Sequence, residues 1–72
     1  MATQVLGNRL KVARAERELS QEQLAGLVGV TRQTISAVET ELYCPSALLA
    51  FLLANQLEKR VDELFFVKGE TP

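Results

Sequence analysis

The sequence predicts an all-α fold, a compact bundle of five short helices, on three observations. Apolar residues recur at three- and four-residue spacing along most of the 72-residue chain, whereas period-2 alternation is scarce. Residues that cap or break helices stand where those helices should begin and end. The length is that of one small domain, 1–72, whose limited core favours a simple architecture.

The first helix is expected over about residues 8–17, with Leu10 and Ala13 turned inward. The second is better marked. Ser20 can cap it, and Gln23 three positions later completes a capping box. Leu24, Leu27 and Val28 form its apolar stripe with Ala25, and Gly29, free to adopt positive φ, ends it. Thr31 is the N-cap expected for the third helix, which runs to about Thr40. Ile35 and Val38 share one side of it. Arg32, Gln33, Ser36, Ala37 and Thr40 spread over about 140° of the other side, at about 100° per residue. Pro45 and Ser46 open a fourth helix, 47–57, and Asp62 and Glu63 suit the first turn of a short fifth. The ends, 3–6 and 65–68, have the composition of short strands that could pair as a small antiparallel ribbon.

Composition narrows the function. Histidine is absent, which excludes His-based triads and zinc sites, and no metal or cofactor is expected. Cys44 is the single cysteine, so no internal disulfide can form; a lone thiol fits a reducing, cytoplasmic setting better than a redox sensor. No signal-peptide pattern opens the sequence, and the apolar run 47–54 is too short to span a bilayer, so no membrane partner is expected. The net charge of −1 and pI near 5.3 count against nucleic acid at first sight. The distribution softens that objection. Arg9, Lys11, Arg14, Arg17 and Arg32 lie in the first half, while Glu58, Asp62, Glu63 and Glu70 crowd the end. A local positive face can coexist with an acidic whole.

The informative segment is 21–40. Two helices that cross steeply with a very tight turn between them need a small residue at the crossing, a glycine in the turn and apolar anchors on the second helix. Ala25, Gly29, Val30, Ile35 and Val38 meet those needs in order. An apolar stripe alone would mean only amphipathic packing; the joint pattern is more restrictive.

These residues resemble the Xre/Cro family of phage-repressor-type helix-turn-helix proteins. The matching text is Leu19-Ser20-Gln21-Glu22-Gln23-Leu24-Ala25 and then Gly29-Val30-Thr31-Arg32-Gln33-Thr34-Ile35-Ser36-Ala37-Val38-Glu39, with Tyr43-Cys44-Pro45-Ser46 and Val61-Asp62-Glu63-Leu64-Phe65 further on. The resemblance implies that Gln21 meets a DNA phosphate and that Arg32, Gln33, Ser36 and Ala37 face the major groove. Chemistry agrees: arginine can bond guanine bidentately, glutamine adenine, and an alanine methyl can touch thymine. Thr31, Thr34 and Thr40 complete the DNA-facing set, with hydroxyls suited to phosphates. Arg14 and Glu39 match positions that pair in the family, implying a structural ion pair behind the reading helix.

Three departures stand out. Glu41 and Leu42 occupy positions where the family has glycine and then a basic residue; Glu41 is strained if the backbone there needs positive φ, and its charge disfavours a nearby phosphate. Glu58 and Arg60 replace a glycine and a capping serine before the fifth helix. The fourth helix is apolar all round: beyond its core stripe of Leu49, Leu53, Leu57, Ala50 and Ala54, it carries Leu48, Phe51 and Leu52. These three are expected either to form an association surface or to widen the internal core and cover the terminal strands.

The expectation is therefore a sequence-specific binder of double-stranded DNA that regulates transcription, with repression the simplest outcome and activation equally compatible. It is expected to work as a homodimer on a near-palindromic operator, and not as an enzyme. An antitoxin or restriction-system controller is the alternative role within DNA binding. A protein-interaction module that kept the fold is the alternative outside it. No small-molecule effector can be named.

Overall fold

The chain runs β1 (Gln4–Asn8), α1 (Leu10–Glu16), α2 (Gln21–Val28), α3 (Arg32–Glu39), α4 (Ala47–Gln56), α5 (Val61–Leu64) and β2 (Phe65–Gly69). These elements come from a computed structural model that describes residues 4–69, so Thr3 and Glu70 lie outside the described residues. The architecture is five helices plus a two-stranded antiparallel sheet, in which Leu6 stands opposite Val67 and Gly7 opposite Phe66. An all-α label thus holds for the body, and the terminal ribbon is real.

Local chemistry explains each helix boundary. The Ser20 hydroxyl accepts from the Gln23 N–H at 3.0 Å while the Gln23 side chain accepts from the Ser20 N–H at 2.8 Å, a complete capping box. Gly29 closes α2 at φ 77°, a conformation that favours glycine. The hydroxyls of Thr31 and Ser46 accept from Thr34 N–H and Leu49 N–H, starting α3 and α4. The first helix starts two residues later than the spacing suggested. Asn8 ends β1, and its Oδ1 accepts from the Leu10 N–H at 3.0 Å, so the asparagine turns the chain into α1 instead of joining it.

The core takes residues from every helix. Leu10, Leu24, Ile35, Leu53, Leu57 and Leu64 are fully buried, each worth about 1.5–3 kcal/mol relative to exposure. Leu27, expected on the inward stripe of α2, is 52% exposed. It lies about 110° around the helix from the direction shared by Leu24, Ala25 and Val28, on the edge of the buried arc. Leu48, Phe51 and Leu52 are 70%, 58% and 38% exposed. They do not widen the internal core, and the ribbon does not cover them.

Three glutamates sit at positive φ, one past the end of each of α1, α3 and α4: Glu18 at 54°, Glu41 at 65° and Glu58 at 54°. Two of them reach cations elsewhere. Glu58 takes Arg17 at 2.6 Å, and Glu41 takes Lys68 at 2.8 Å. At the junction before α5, the Glu63 carboxylate accepts from the Arg60 N–H at 2.7 Å, and the Arg60 guanidinium pairs with Asp62 at 3.0 Å. The Glu63 half of a capping box thus forms without a serine, and Glu58 takes the left-handed conformation in place of a glycine.

Candidate nucleic-acid interface

The second and third helices form a tight corner. Ala25 and Ile35 are buried at their contact, the Val30 N–H donates to the Ala25 carbonyl at 3.0 Å, and Val30 packs against the core. With Ile35 and Val38 locked inward, rotation of α3 is fixed. Arg32 and Gln33 are exposed, and Thr34, Ser36 and Ala37 are half-buried. The projecting face thus carries one guanidinium, one primary amide, hydroxyls and a methyl, which together can donate, accept and make apolar contact.

Behind this face lies a polar network. Glu39 has a side chain only 5% exposed and accepts from Arg14 Nε at 2.8 Å and Nη2 at 3.3 Å. Arg14 Nη1 also donates to the Leu19 carbonyl at 2.8 Å. Gln21 Nε2 donates to Glu39 Oε1 at 2.9 Å, and Gln21 Oε1 accepts from Arg32 Nη1 at 3.4 Å. A chain of contacts therefore runs from α1 through the end of α3 and the start of α2 to the first residue of α3. Gln21 keeps one amide hydrogen uncommitted in this network. On the far side, Asn8 Nδ2 donates to the Val38 carbonyl at 2.8 Å and anchors the C-terminal end of α3 to β1. The sequence pattern held no sign of this asparagine link or of the Gln21–Glu39 contact.

The hydroxyl residues are less free than their type suggests. Thr31 is occupied as an N-cap, and its Oγ1 lies 3.1 Å from that of Thr34. Thr40 donates back to the Ser36 carbonyl at 2.9 Å, a bond it must give up before donating to a phosphate.

Charge near the face is sparse. Ion pairs commit Arg14, Arg17, Lys59, Arg60 and Lys68, and Arg9 lies over the Phe66 ring at 4.5 Å from its centroid. Arg32 is the one cation carried by α3 itself. Beside α3 opens a cleft of about 650 Å³ between Gln33, Thr34 and Ala37 on one wall and Leu48, Leu49 and Leu52 on the other. Cys44 is exposed in the loop that follows α3. Among the described residues no cluster of His, Cys, Asp or Glu is placed to hold a metal ion, and no helix is long and apolar enough to cross a membrane.

A helix-turn-helix family model matches residues 10–64, from the start of α1 to the end of α5. The chain belongs to the helix-turn-helix family. This is the Xre/Cro type to which the text around Gln21 and Gln33 pointed. Among relatives of this helix-turn-helix protein, an uncharacterized HTH-type transcriptional regulator of Bacillus subtilis, YgzD, is 40% identical over 63 residues, covering 88% of this chain and 96% of its own. Another, MJ0272 of Methanocaldococcus jannaschii, is 41% identical over 63 residues with the same two coverages, 88% and 96%. Among solved structures, the restriction-modification controller protein C.AhdI from Aeromonas hydrophila is similar with a TM-score of 0.72 and 34% identity, over 76% of this chain and 83% of that one.

Proposed function

We propose that this helix-turn-helix protein binds double-stranded DNA sequence-specifically, with α3 in the major groove, and regulates transcription as a homodimer. The observation that carries the reading is the projecting face of α3: Arg32 and Gln33 exposed in its first turn, on a helix whose rotation is fixed by Ile35 and Val38. A side chain can discriminate bases only if its anchor does not move, and each good bidentate contact is worth about 1–3 kcal/mol of discrimination. Arg32 and Gln33 are assigned to base edges, with Ser36 and Ala37 closing on the groove floor. Gln21, Thr31, Thr34 and Thr40 are assigned to the flanking phosphates. The Arg14–Glu39 pair holds the network behind them.

The dimer rests on Leu48, Phe51 and Leu52. Burying this outward face of α4 against a second copy offsets the exposure of three large apolar groups on a domain with a small core. Two-fold pairing sets two α3 helices about 34–36 Å apart, matching the half-sites of a near-palindrome. Repression by occupying a promoter is the simplest consequence. A restriction-system controller is the second reading of role, and the similarity to C.AhdI favours it.

The test is a fluorescence-anisotropy titration at near-physiological salt, comparing DNA from upstream of the protein's own gene with a scrambled duplex. Specific regulators prefer their site by about 10³–10⁷ over other DNA. The expected result is a preference that collapses in Gln33→Ala. Equal binding of both duplexes by wild type and variant alike speaks for a protein-interaction module instead.

A further inference from the structure

The loop after α3 and the end of β2 carry a charge arrangement that the function above does not use. Glu41 follows Thr40 directly at the end of the reading helix, and its carboxylate holds Lys68 Nζ at 2.8 Å. Lys68 lies on β2, beyond the matched segment 10–64, and its side chain is 49% exposed. The ribbon lies against this loop: Gln4, Val5 and Leu6 of β1 face Glu41, Leu42 and Tyr43 across a shallow cleft. A DNA strand passing the Thr40 end of α3 therefore meets Glu41 and Lys68 together. That pair is neutral as a unit, and an exposed ion pair of this kind is weak enough for either partner to be exchanged.

Resting on the proposed DNA binding, we infer that Lys68 is a phosphate contact supplied by the C-terminal strand, held in check by Glu41. Arg32 is the lone cation of α3, Leu42 offers no charge and Arg14 is buried against Glu39 with its side chain 15% exposed, so the half-exposed Lys68 is the cation that Glu41 holds beside the Thr40 end of α3. Glu41 competes with the phosphate for Lys68 and repels the phosphate itself. It thereby lowers affinity for every sequence equally while leaving base discrimination to α3. Sequence-independent affinity is set by phosphate neutralisation, whereas base contacts set preference, so the two can be tuned apart.

The experiment measures duplex binding against salt concentration for wild type, Glu41→Gln, Lys68→Gln and the double variant, with melting by circular dichroism confirming that each folds. Glu41→Gln should tighten binding to specific and scrambled duplexes alike. It should steepen the slope of log K against log salt by about 0.9, an extra loss of about 3- to 4-fold between 50 and 200 mM. The steepening should vanish in the double variant. An unchanged slope in Glu41→Gln, or an equal gain without Lys68, overturns the inference while leaving DNA binding intact. Absence of duplex binding by wild type overturns the reading beneath it as well.

Discussion

At the residue scale the structure depends on a few groups whose cost or benefit can be isolated. Glu18 occupies a left-handed conformation at φ 54° with no ion pair or side-chain hydrogen bond among the described residues. Left-handed backbone costs a non-glycine residue about 1–2 kcal/mol, part of which glycine gives back through unfolded-state entropy. Glu18→Gly is therefore expected to stabilise by about 0.5–1 kcal/mol, read as a rise in Tm of a few degrees. Glu41 and Glu58 share the conformation but also form ion pairs, so their glycine variants should gain less. Glu39 is the opposite case. Glu39→Ala strands Arg14, whose side chain is only 15% exposed, and should cost about 3 kcal/mol in denaturant unfolding. The Arg14→Met, Glu39→Leu double variant should recover part of that loss, because it leaves no unpaired charge.

At the element scale, most of the fold was legible because local signals agreed with the tertiary outcome. The capping box at Ser20, the glycine stop at Gly29 and the Thr31 and Ser46 caps each marked a boundary that the structure keeps. Two signals misled. Asn8 reads as part of a helical period, yet its side chain accepts from Leu10 N–H in a local turn and donates to the Val38 carbonyl, a contact thirty residues away that only the folded chain brings within reach. Leu27 fits an apolar stripe, but α2 is covered on too narrow an arc to bury it. The ribbon has its own logic. Phe66 lies across Gly7, its cross-strand neighbour, where an added Cβ would come within 2.5 Å of the ring, and the Arg9 guanidinium stacks on the same phenylalanine. Gly7→Val should expel the ring and fray both strands. Hydrogen exchange should then accelerate at Gln4–Asn8 and Phe65–Gly69 while α2 and α3 keep their protection. Equal acceleration everywhere would mean that the ribbon is part of the global folding unit.

At the scale of the whole molecule, the domain anchors α3 in its core and leaves α4 with an exposed apolar face. Core residues from all five helices hold α3, while α4 turns Leu48, Phe51 and Leu52 outward. Leu48→Lys with Leu52→Lys should leave the fold intact, with a cooperative melting transition, and halve the sedimentation mass; an unchanged mass would remove α4 from the association surface. Composition gave little warning of how the charges are used. An overall −1 hides the pairing of five cations with acids, which leaves the α3 face dependent on Arg32 and on shape. Pairings such as Lys68 with Glu41 join residues far apart in the chain, and no local pattern reveals them. Selection from random duplexes, followed by sequencing, decides whether α3 reads base sequence. Wild type should enrich a near-palindrome with half-sites about 10 base pairs apart, and Gln33→Ala should lose preference at one position in each half-site. A wild type that enriches no motif, or a variant that enriches the same motif unchanged, contradicts base reading by α3.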